Sequence, residues 1–299
     1  MTSRQPLVYI ILVNWNKWQH TVECITSLLP LIYVNYKIIV VDNASTDGSV
    51  KYIRDACPAV TVLINAKNRG FSGGNNVGIN LALEQGADYV WLLNNDTVVD
   101  PDALSELIRK AELDMRYAVV GSALFDYYAP HKLQTIGGIR IKGWSGAFGV
   151  PRRSDDEPMD YVTGASMLIR TDAIKNIGCL DESYFFYWED REFCYRAKLG
   201  GYKLASTSGS KVYHKEGVSH TKDNGVYSSF VEYNMTKGLV QCFLTYQGLR
   251  AAKPILARLA YRIIGNIKRK KFRNLLVICA AVHDGLHDVW KKKAPKICY

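Results

Sequence analysis

The sequence predicts an α/β fold, with a Rossmann-like, mostly parallel sheet, helices on both faces of that sheet and a basic helical tail. Three observations lead to this prediction. Short continuous apolar runs alternate with helix-like stretches over residues 1–120, a pattern typical of parallel strands covered on both faces. Polar clusters follow these runs, where ligands bind in such sheets. The net positive charge of the chain lies in residues 250–299.

The elements of the first half are predicted in turn from this alternation. Strands are expected at the apolar runs near 7–13, 37–42, 60–65, 89–94 and 117–121. Helices are expected between them, near 18–29, 48–56, 75–85 and 101–112. Gly86 marks the end of the third helix, and Asp100 followed by Pro101 marks the start of the fourth.

The second half is less regular at first. Residues 121–165 are rich in Gly and Tyr and predict a small sheet and a loop, and the glycine content of 140–158 indicates a segment that closes over a ligand. A strand at 166–170, a short helix, a helix near 189–199 and a strand at 211–214 follow. We expect one domain over 1–228, with halves of about 1–120 and 121–228, and a helical region over 229–299.

Length and composition exclude several classes of protein. A chain of 299 residues with 48% hydrophobic and 22% charged residues can bury a full core, which excludes wholesale disorder. Seven scattered cysteines without a C-x-x-C pair favour reduced thiols in the cytoplasm over a disulfide framework or a zinc site. The apolar run at 7–13 is too short to span a bilayer, and no segment of the sequence looks transmembrane.

The tail is the basic part of the chain. Residues 250–299 carry 13 Lys and Arg against two acids, a charge of +11, whereas the whole chain carries +10. Ile255, Leu259 and Ile263 recur at helical spacing, and the run Lys268-Arg269-Lys270-Lys271 follows. We expect an amphipathic helix on an anionic membrane surface. A plain solvated helix is one alternative, and nucleic acid is disfavoured because no recognised motif for it is present.

Two polar segments of the first half indicate a nucleotide pocket. Asp42 ends the second predicted strand, where a carboxylate accepts hydrogen bonds from a base or a ribose, or else forms a turn with the residues that follow. The glycine-rich stretch 68–76 leads into a helix, where free N–H groups and the helix dipole suit a diphosphate. A capped loop is the alternative for this stretch.

Asn94-Asn95-Asp96 follows the fourth predicted strand and indicates a divalent metal site. Mg²⁺ and Mn²⁺ prefer oxygen ligands and commonly take one or two carboxylates together with substrate phosphates. His214, at the end of the last predicted strand, would add an imidazole, which Mn²⁺ tolerates better than Mg²⁺. A strand-end turn at Asp96 and a structural role for His214 are the alternatives.

Trp188-Glu189-Asp190-Arg191-Glu192 places three acids at a helix start, after a run of aromatic residues. Glu189 and Asp190 cannot share one helical face, so one of them can point into a cleft. Apolar surroundings raise the pKa of a carboxyl group, as a general base requires. The alternative is a solvated acidic helix start, which the helix dipole favours.

Six segments, taken in their order along the chain, resemble the inverting family 2 glycosyltransferases, most closely the bacterial rhamnosyltransferase-like branch that builds surface polysaccharides. The segments are 13–16, 40–49, 68–76, 93–96, 162–167 and 186–190. The resemblance covers roughly residues 7–220, and no motif covers the tail.

This resemblance implies the GT-A fold, a nucleotide-sugar donor and Mg²⁺ or Mn²⁺. Asp42 would hold the pyrimidine base, and the donor-binding set would be Asn14, Asp42, Asn68, Gly73, Asn75 and Asn95. Asp96 and His214 would hold the metal and the diphosphate. Asp190 would be the base that deprotonates the acceptor hydroxyl, and the acceptor-binding set would be Gly164, Trp188 and Glu189. The family often has Asp-x-Asp where this chain has Asn94-Asn95-Asp96, which leaves one carboxylate.

These expectations describe an inverting sugar transfer by single displacement. The expected donor is dTDP-rhamnose, with UDP-linked sugars as the alternative, and the expected acceptor is a growing polysaccharide or a lipid-linked saccharide. A catalytically weak nucleotide-sugar-binding protein is a second alternative, given the two asparagines beside Asp96. The expected location is the cytoplasm, peripheral on the inner face of the cell membrane. The sequence leaves the oligomeric state open.

Overall fold

The computed structural model of the chain describes residues 4–141, 149–215 and 228–291. Residues 142–148 of the segment that we expected to close over a ligand lie outside the described residues, as do residues 292–299 of the predicted tail.

The first half alternates strands and helices as the apolar pattern predicts. Its elements, in chain order, are β1 (Val8–Asn14), α1 (Trp18–Leu28), β2 (Tyr36–Asp42), α2 (Ser49–Ala56), β3 (Thr61–Ile64), α3 (Gly70–Glu84), β4 (Tyr89–Leu93), β5 (Thr97–Val99), α4 (Ala103–Ala111) and β6 (Tyr117–Asp126). The short strand β5 is the one element here that the sequence analysis did not predict.

The second half adds strands and then only helices. Its elements are β7 (Ala129–Ile136), β8 (Gly138–Ile141), β9 (Gly149–Pro151), β10 (Tyr161–Val162), β11 (Ser166–Arg170), α5 (Thr171–Ile177), α6 (Glu189–Leu199), β12 (Lys203–His214), α7 (Ser229–Gln247), a 3₁₀ turn (Gly248–Ala251), α8 (Ala252–Lys268) and α9 (Phe272–Lys291).

Nine of the described strands form one sheet in the order β3-β2-β1-β4-β11-β6-β12-β5, with β7 paired to β6. The strands β3, β2, β1 and β4 are parallel. The strand β11 is antiparallel to both β4 and β6, and β12 is parallel to β6. Parallel pairing therefore dominates the first half of the chain, and the second half is mixed. The strands β8, β9 and β10 form the small sheet predicted for 121–165.

Both faces of the sheet are covered by helices, which confirms the predicted α/β architecture. Successive residues of a strand point to opposite faces. On one face Val8, Ile10 and Leu12 pack in a cluster that includes buried residues of α1 and α4. On the other face Tyr9 and Ile11 pack with α3, α5 and α6. Because both sets are buried, β1 is a continuous apolar run instead of an alternating one.

The helix α3 begins earlier than predicted, at Gly70 instead of near residue 75. Glycine lowers helix stability by about 1 kcal/mol relative to alanine, so propensity alone argued against a helix there. Tertiary packing explains its position. A Cβ added at Gly74 would lie 2.9 Å from Val13 Cγ1, and one at Gly78 would lie 2.7 Å from Ile11 Cγ2. The missing side chains let α3 pack directly on β1.

The helices α7, α8 and α9 form the helical region predicted after residue 228. Their packing against the rest of the chain involves one buried apolar cluster of Tyr184, Trp188, Leu239, Val240, Cys242, Phe243, Ala251 and Ile255. The helical region is therefore attached directly to the segment that precedes α6. In the part of the chain that the structure describes, no helix is long and apolar enough to cross a membrane.

Candidate functional site

Several strands end at one edge of the sheet, and their last residues meet there. Asn14 of β1 lies opposite Asp42 of β2. His214 of β12 lies opposite Thr97, directly after Asp96. The carboxyl ends of parallel strands are where α/β folds bind ligands. The structure thus brings together five of the predicted site residues, namely Asn14, Asp42, Asn95, Asp96 and His214.

Asn14 and Asp42 are buried and hydrogen bonded to each other. The Nδ2 of Asn14 donates to Asp42 Oδ2 at 2.7 Å. Ser45 donates twice to the same carboxylate, from its backbone N at 2.9 Å and from its hydroxyl at 2.6 Å. A carboxylate has about four acceptor positions, and these bonds occupy three of them. Asp42, which is 1% exposed, thus forms a turn with the residues that follow it, which is the alternative that the sequence offered. One acceptor position of its carboxylate is left for the base of a nucleotide.

Thr21, in the first turns of α1, connects two of the predicted donor-binding residues. Its hydroxyl donates to Asn14 Oδ1 at 2.7 Å and accepts from Asn95 Nδ2 at 2.8 Å. This role of Thr21 is not apparent from the sequence, since a threonine within an amphipathic helix carries no signal of it. A side chain of α1 therefore links the end of β1 to the segment that follows β4.

Asp96 and His214 are the candidate metal ligands. The Nε2 of His214 lies 3.4 Å from Asp96 Oδ1, and Asn94 Nδ2 lies 3.4 Å from the same nitrogen. Within residues 4–141, 149–215 and 228–291, no group of three or more His, Cys, Asp or Glu side chains is arranged to hold a metal ion. One carboxylate oxygen and one imidazole nitrogen at this spacing fit a divalent ion that takes its other ligands from a diphosphate.

Lys215, which is not among the predicted site residues, holds the candidate metal ligands against α1. Its backbone N donates to Asp96 O at 3.0 Å. Its ammonium group, on a residue 4% exposed, donates to the Glu23 carboxylate and to His20 Nδ1, the latter at 3.2 Å. Burial and the Lys215 charge lower the pKa of His20, so that ring accepts at Nδ1 and carries its proton on Nε2. The sequence feature that could have identified Lys215 is its position as a cationic residue directly after His214.

The predicted donor-binding residues of the glycine-rich stretch lie in and just before α3. The Oδ1 of Asn68 accepts from Gly70 N at 2.8 Å, as in the capped alternative. Gly73 and Asn75 are buried within the helix, and Asn75 Nδ2 donates to Phe71 O at 2.9 Å. The side chains of Asn68 and Asn75 are thus hydrogen bonded to the backbone of this same stretch. Contact of these residues with a nucleotide-sugar donor stays a prediction.

The start of α3 also contacts the segment before α6. Phe71 N donates to Phe185 O at 2.8 Å, and the Ser72 hydroxyl donates to Tyr184 O at 2.6 Å. Gly70 has a φ of +69°, and a Cβ there would collide with Phe185 O, so only glycine fits. The candidate donor side and the candidate acceptor side are therefore in direct contact.

The helix α6 begins from strained backbone and carries Asp190 in its first turn. Tyr187 and Trp188 have φ angles of 68° and 78°, and non-glycine residues in this region cost about 1–3 kcal/mol each. Asp190 Oδ2 accepts from Gly164 N at 3.0 Å, and Oδ1 accepts from Arg191 N at 2.7 Å. Burial raises the pKa of Asp190, while the Gly164 N–H and the Arg191 charge act in the opposite direction. A raised pKa suits a general base.

Two adjacent residues join Asp190 to the candidate metal motif. Gly164 N donates to Asp190 Oδ2, and the next carbonyl, Ala165 O, accepts from Asn94 N at 3.0 Å. The carboxylate of Asp190 and the segment that carries Asp96 therefore lie on either side of one two-residue bridge. The predicted acceptor-binding residue Gly164 occupies the centre of this arrangement.

Glu189 differs from its neighbour in having a poorly satisfied carboxyl group. It is 7% exposed, and its Oε2 is buried with no hydrogen-bond partner among the described residues. Burial and then the nearby Asp190 charge raise the pKa of Glu189 well above its ordinary value. A protonated Glu189 would leave Asp190 as the charged member of this adjacent pair.

Trp188, predicted to bind the acceptor, is packed inside the protein. Its indole N–H donates to Met235 O at 3.0 Å. The Arg191 guanidinium lies 4.2 Å from the centre of its ring, and a Cβ added at Gly238 would lie 2.5 Å from the same ring. This burial argues against direct contact with an acceptor. In this structure Trp188 attaches α7 to the start of α6.

Comparison with known proteins identifies the group of proteins that this chain resembles. The family model described as Glycosyl transferase family 2 matches residues 9–178. A low-salt glycan biosynthesis hexosyltransferase of Haloferax volcanii is 26% identical over 238 residues, which is 75% of this chain and 72% of that protein. An N-acetylglucosaminyl-diphospho-decaprenol L-rhamnosyltransferase of Mycobacterium tuberculosis is 23% identical over 238 residues, 72% of this chain and 78% of that protein.

A solved structure shows the same fold along almost the whole chain. It is a mannosyltransferase from Pyrobaculum calidifontis in complex with GDP-Man and Mn²⁺, with a TM-score of 0.59 and 14% sequence identity. The match covers 98% of this chain and 89% of that one. The architecture is therefore that of the GT-A transferases, as predicted.

Proposed function

The chain belongs to glycosyl transferase family 2, and from that membership we propose that it is an inverting rhamnosyltransferase that uses dTDP-rhamnose. UDP-linked sugars are the alternative donors. The similarity to an L-rhamnosyltransferase supports rhamnose. The name of that relative includes a diphospho-decaprenol group, which supports a lipid-linked saccharide or a growing polysaccharide as acceptor here.

In the proposed reaction Asp190 is the base. One of its carboxylate oxygens takes the proton of an acceptor hydroxyl. The hydroxyl oxygen attacks the anomeric carbon of the donor sugar at the same time. The bond from this carbon to the diphosphate oxygen breaks on the opposite side, so the configuration inverts and a nucleoside diphosphate leaves. A single carboxylate base suffices, because a stabilised diphosphate needs no proton to leave.

A divalent ion, Mg²⁺ or Mn²⁺, is proposed to bind Asp96 and His214. When bound, such an ion neutralises charge that develops on the departing diphosphate. The Mn²⁺ bound in the mannosyltransferase structure supports a divalent ion in this fold. Asn14, Asp42 and Asn95 are proposed to hold the nucleoside, and Asn68, Gly73 and Asn75 to shape the diphosphate end of the same pocket. Gly164 and Glu189 are proposed to lie beside the acceptor.

The bridge formed by Gly164 and Ala165 is the observation that carries this proposal. Its two hydrogen bonds hold the candidate base and the segment of the candidate metal ligand near the same edge of the sheet. A displacement reaction requires that arrangement, with the proton acceptor on one side of the reacting carbon and the stabilised leaving group on the other.

We propose that the enzyme works in the cytoplasm, as one domain over residues 1–228 with a helical region over 229–299 that attaches it peripherally to the inner membrane face. A catalytically weak nucleotide-sugar-binding protein is the second candidate, favoured by the amides of Asn94 and Asn95 where acids would bind a metal more strongly.

A screen of nucleotide sugars tests the proposed function. Thermal shift and release of nucleoside diphosphate are measured together, with Mn²⁺, with Mg²⁺ and with a chelator. We expect dTDP-rhamnose to raise the melting temperature and to release dTDP when metal and an acceptor are present. A melting shift without release would support the binding protein instead. Release from UDP-sugars alone would keep the transferase and reject rhamnose.

A further inference from the structure

The helix α9 has two opposite faces of different character. Its buried residues recur at helical spacing, and they are Asn274, Ile278, Ala281 and Gly285. A Cβ at Gly285 would meet Lys237 O and Val240 of α7, so this face lies against α7. At about 100° per residue, Leu276 and Trp290 fall on the far side, where they are 74% and 90% exposed. Phe272 and Leu286 on the same side are also exposed.

The helix α8 repeats this division. Ile255, Arg262 and Asn266 are buried on one side. Leu256, Ile264 and Ile267 are exposed on the other. Single exposed apolar side chains are common on protein surfaces. A row of them along each of two consecutive helices is uncommon and marks a surface that binds something.

The charges of this helical pair are sorted between its two sides. Its acids face α7, since Tyr233 OH donates to Asp284 and Lys237 Nζ lies 2.8 Å from Asp288 Oδ2. The cations at the end of α8 and in the turn that follows it are on the outside, and the exposed ones are Lys268, Arg269 and Lys270. The outward side of α8 and α9 therefore combines rows of apolar side chains with positive charge. Within the described residues of these two helices, both acids face α7 and none lies beside these cations.

We propose that the outer faces of α8 and α9 bind the surface of an anionic phospholipid bilayer. Apolar side chains enter the boundary between headgroups and acyl chains, and the cations of the turn contact the phosphates. A nucleic acid would use the cations but would leave the apolar rows in water. A second copy of the chain would bring two positive turns near each other. The bilayer is the partner that satisfies both features.

The helix α7 connects this surface to the start of α6, where the candidate base lies. Trp188 lies two residues before Asp190, and its indole N–H donates to Met235 O of α7. Leu239 and Phe243 of α7 share a buried cluster with Trp188 and with Ile255 of α8. The candidate base is therefore joined by packed side chains to the proposed membrane surface. A role for this connection in the reaction rests on the proposed function, because it assumes a lipid-linked acceptor.

The test uses the full chain and two kinds of vesicle, phosphatidylcholine alone and phosphatidylcholine with phosphatidylglycerol, in a sedimentation assay. The wild type should sediment with the anionic vesicles, and less so at high salt. The triple variant Lys268→Gln/Arg269→Gln/Lys270→Gln should partition about a hundredfold more weakly, at about fivefold per cation. Leu276→Glu/Trp290→Glu should lose at least about tenfold.

The matched control is Val34→Glu/Leu113→Glu, which changes two exposed apolar residues outside the helical region and should bind as the wild type does. Substitutions are preferable to deletion of residues 250–299, because deletion would expose the buried residues of α7. Circular dichroism and thermal melting verify that each variant is folded.

Three results would overturn the proposal. The first is that the wild type stays in the supernatant with anionic vesicles. The second is that the Leu276→Glu/Trp290→Glu variant binds vesicles like the wild type. The third is that the main change in a variant is a smaller assembly in size-exclusion chromatography. Steeply salt-dependent binding of the wild type to DNA without vesicle binding would assign the cations to nucleic acid. Metal-dependent dTDP release with a water-soluble acceptor is measured separately, so a failed transferase proposal is distinguishable from a failed membrane proposal.

Discussion

At the ends of β1 and β2 the polar side chains satisfy one another, whereas α6 starts directly after strained backbone and carries one acid, Glu189, that is incompletely paired. Asn14 and Asp42 are almost fully buried, and their hydrogen bonds reach Thr21 and Ser45 on neighbouring segments. Glu189 instead has a buried carboxyl oxygen without a partner in the described part of the chain. It follows two residues with left-handed backbone.

This difference separates two kinds of site residue. A saturated network resists movement and defines the shape of a pocket before a ligand arrives. Strained backbone and unsatisfied acids lower the stability of the fold, and such features concentrate where chemistry occurs. We therefore expect substitutions at the strand ends to change stability and donor binding, and substitutions at the start of α6 to change the rate of transfer.

The largest effect is expected from Asp190→Asn, which removes the proton acceptor and keeps an oxygen for the Gly164 N–H. Sugar transfer should fall by about a hundredfold to ten-thousandfold, while donor affinity stays near that of the wild type, since the base acts on the acceptor. Rate assays and calorimetry measure these two quantities. Asp172→Asn, an exposed acid in the first turn of α5, is the control. An equal loss of donor affinity would contradict the assignment.

The second effect concerns the metal. Asp96→Asn should raise the metal concentration needed for half of the thermal shift with nucleoside diphosphate by at least about tenfold, and His214→Ala should act in the same direction. The shift is measured without any sugar transfer, so it reports binding alone. Asp100→Asn, an acid that follows β5, should leave the titration unchanged. An unchanged titration for Asp96→Asn would remove this residue from the metal site.

A smaller effect is expected from Thr21→Val, which keeps the shape of the side chain and removes its hydroxyl. Asn14 Oδ1 and Asn95 Nδ2 each lose a partner, so the free energy of unfolding should fall by about 1–3 kcal/mol. Urea unfolding measures it. Thr26→Val is the control, because Thr26 is an exposed residue of the same helix. Equal stability of the two variants would show that the strand-end network contributes little.

The smallest effect is expected from Glu189→Gln, and it depends on pH. The folded-state pKa of Glu189 is raised, so its contribution to stability is fully present below the unfolded-state pKa and is lost as the pH rises through the folded-state pKa. Glutamine does not titrate. The stability of the variant relative to the wild type should therefore increase as the pH rises. Glu84→Gln, on an exposed residue, should show no such trend in thermal melting.

Much of the fold could be predicted because the central strands of its first half are buried on both faces. Such strands are continuous apolar runs, and β1 and β4 follow that rule. The start of α3 could not be predicted in the same way. Its glycines oppose helix formation locally, and their close packing on Val13 and Ile11 appears only in three dimensions.

The candidate site could be predicted where its residues end strands, because topology alone brings Asn14, Asp42 and Asp96 to one edge. Lys215 and Thr21 could not be assigned roles, since these depend on how α1 packs against the strand ends. The burial of Trp188 depends likewise on the position of α7, which no local pattern indicates. Local patterns thus predict which edge is used, and tertiary packing decides which side chains are accessible there.

The contact between Gly70 and Phe185 limits how the two halves of the enzyme could be recombined. A chimera that joins the second half of this chain to residues 1–120 of a relative would need a glycine at the position of Gly70, because the Phe185 carbonyl leaves no room for a methyl group there. A graft with any larger residue at that position would clash with this carbonyl, whatever its sugar preference. Engineers who wish to exchange the donor would do better to change pocket side chains one at a time and keep the junction intact.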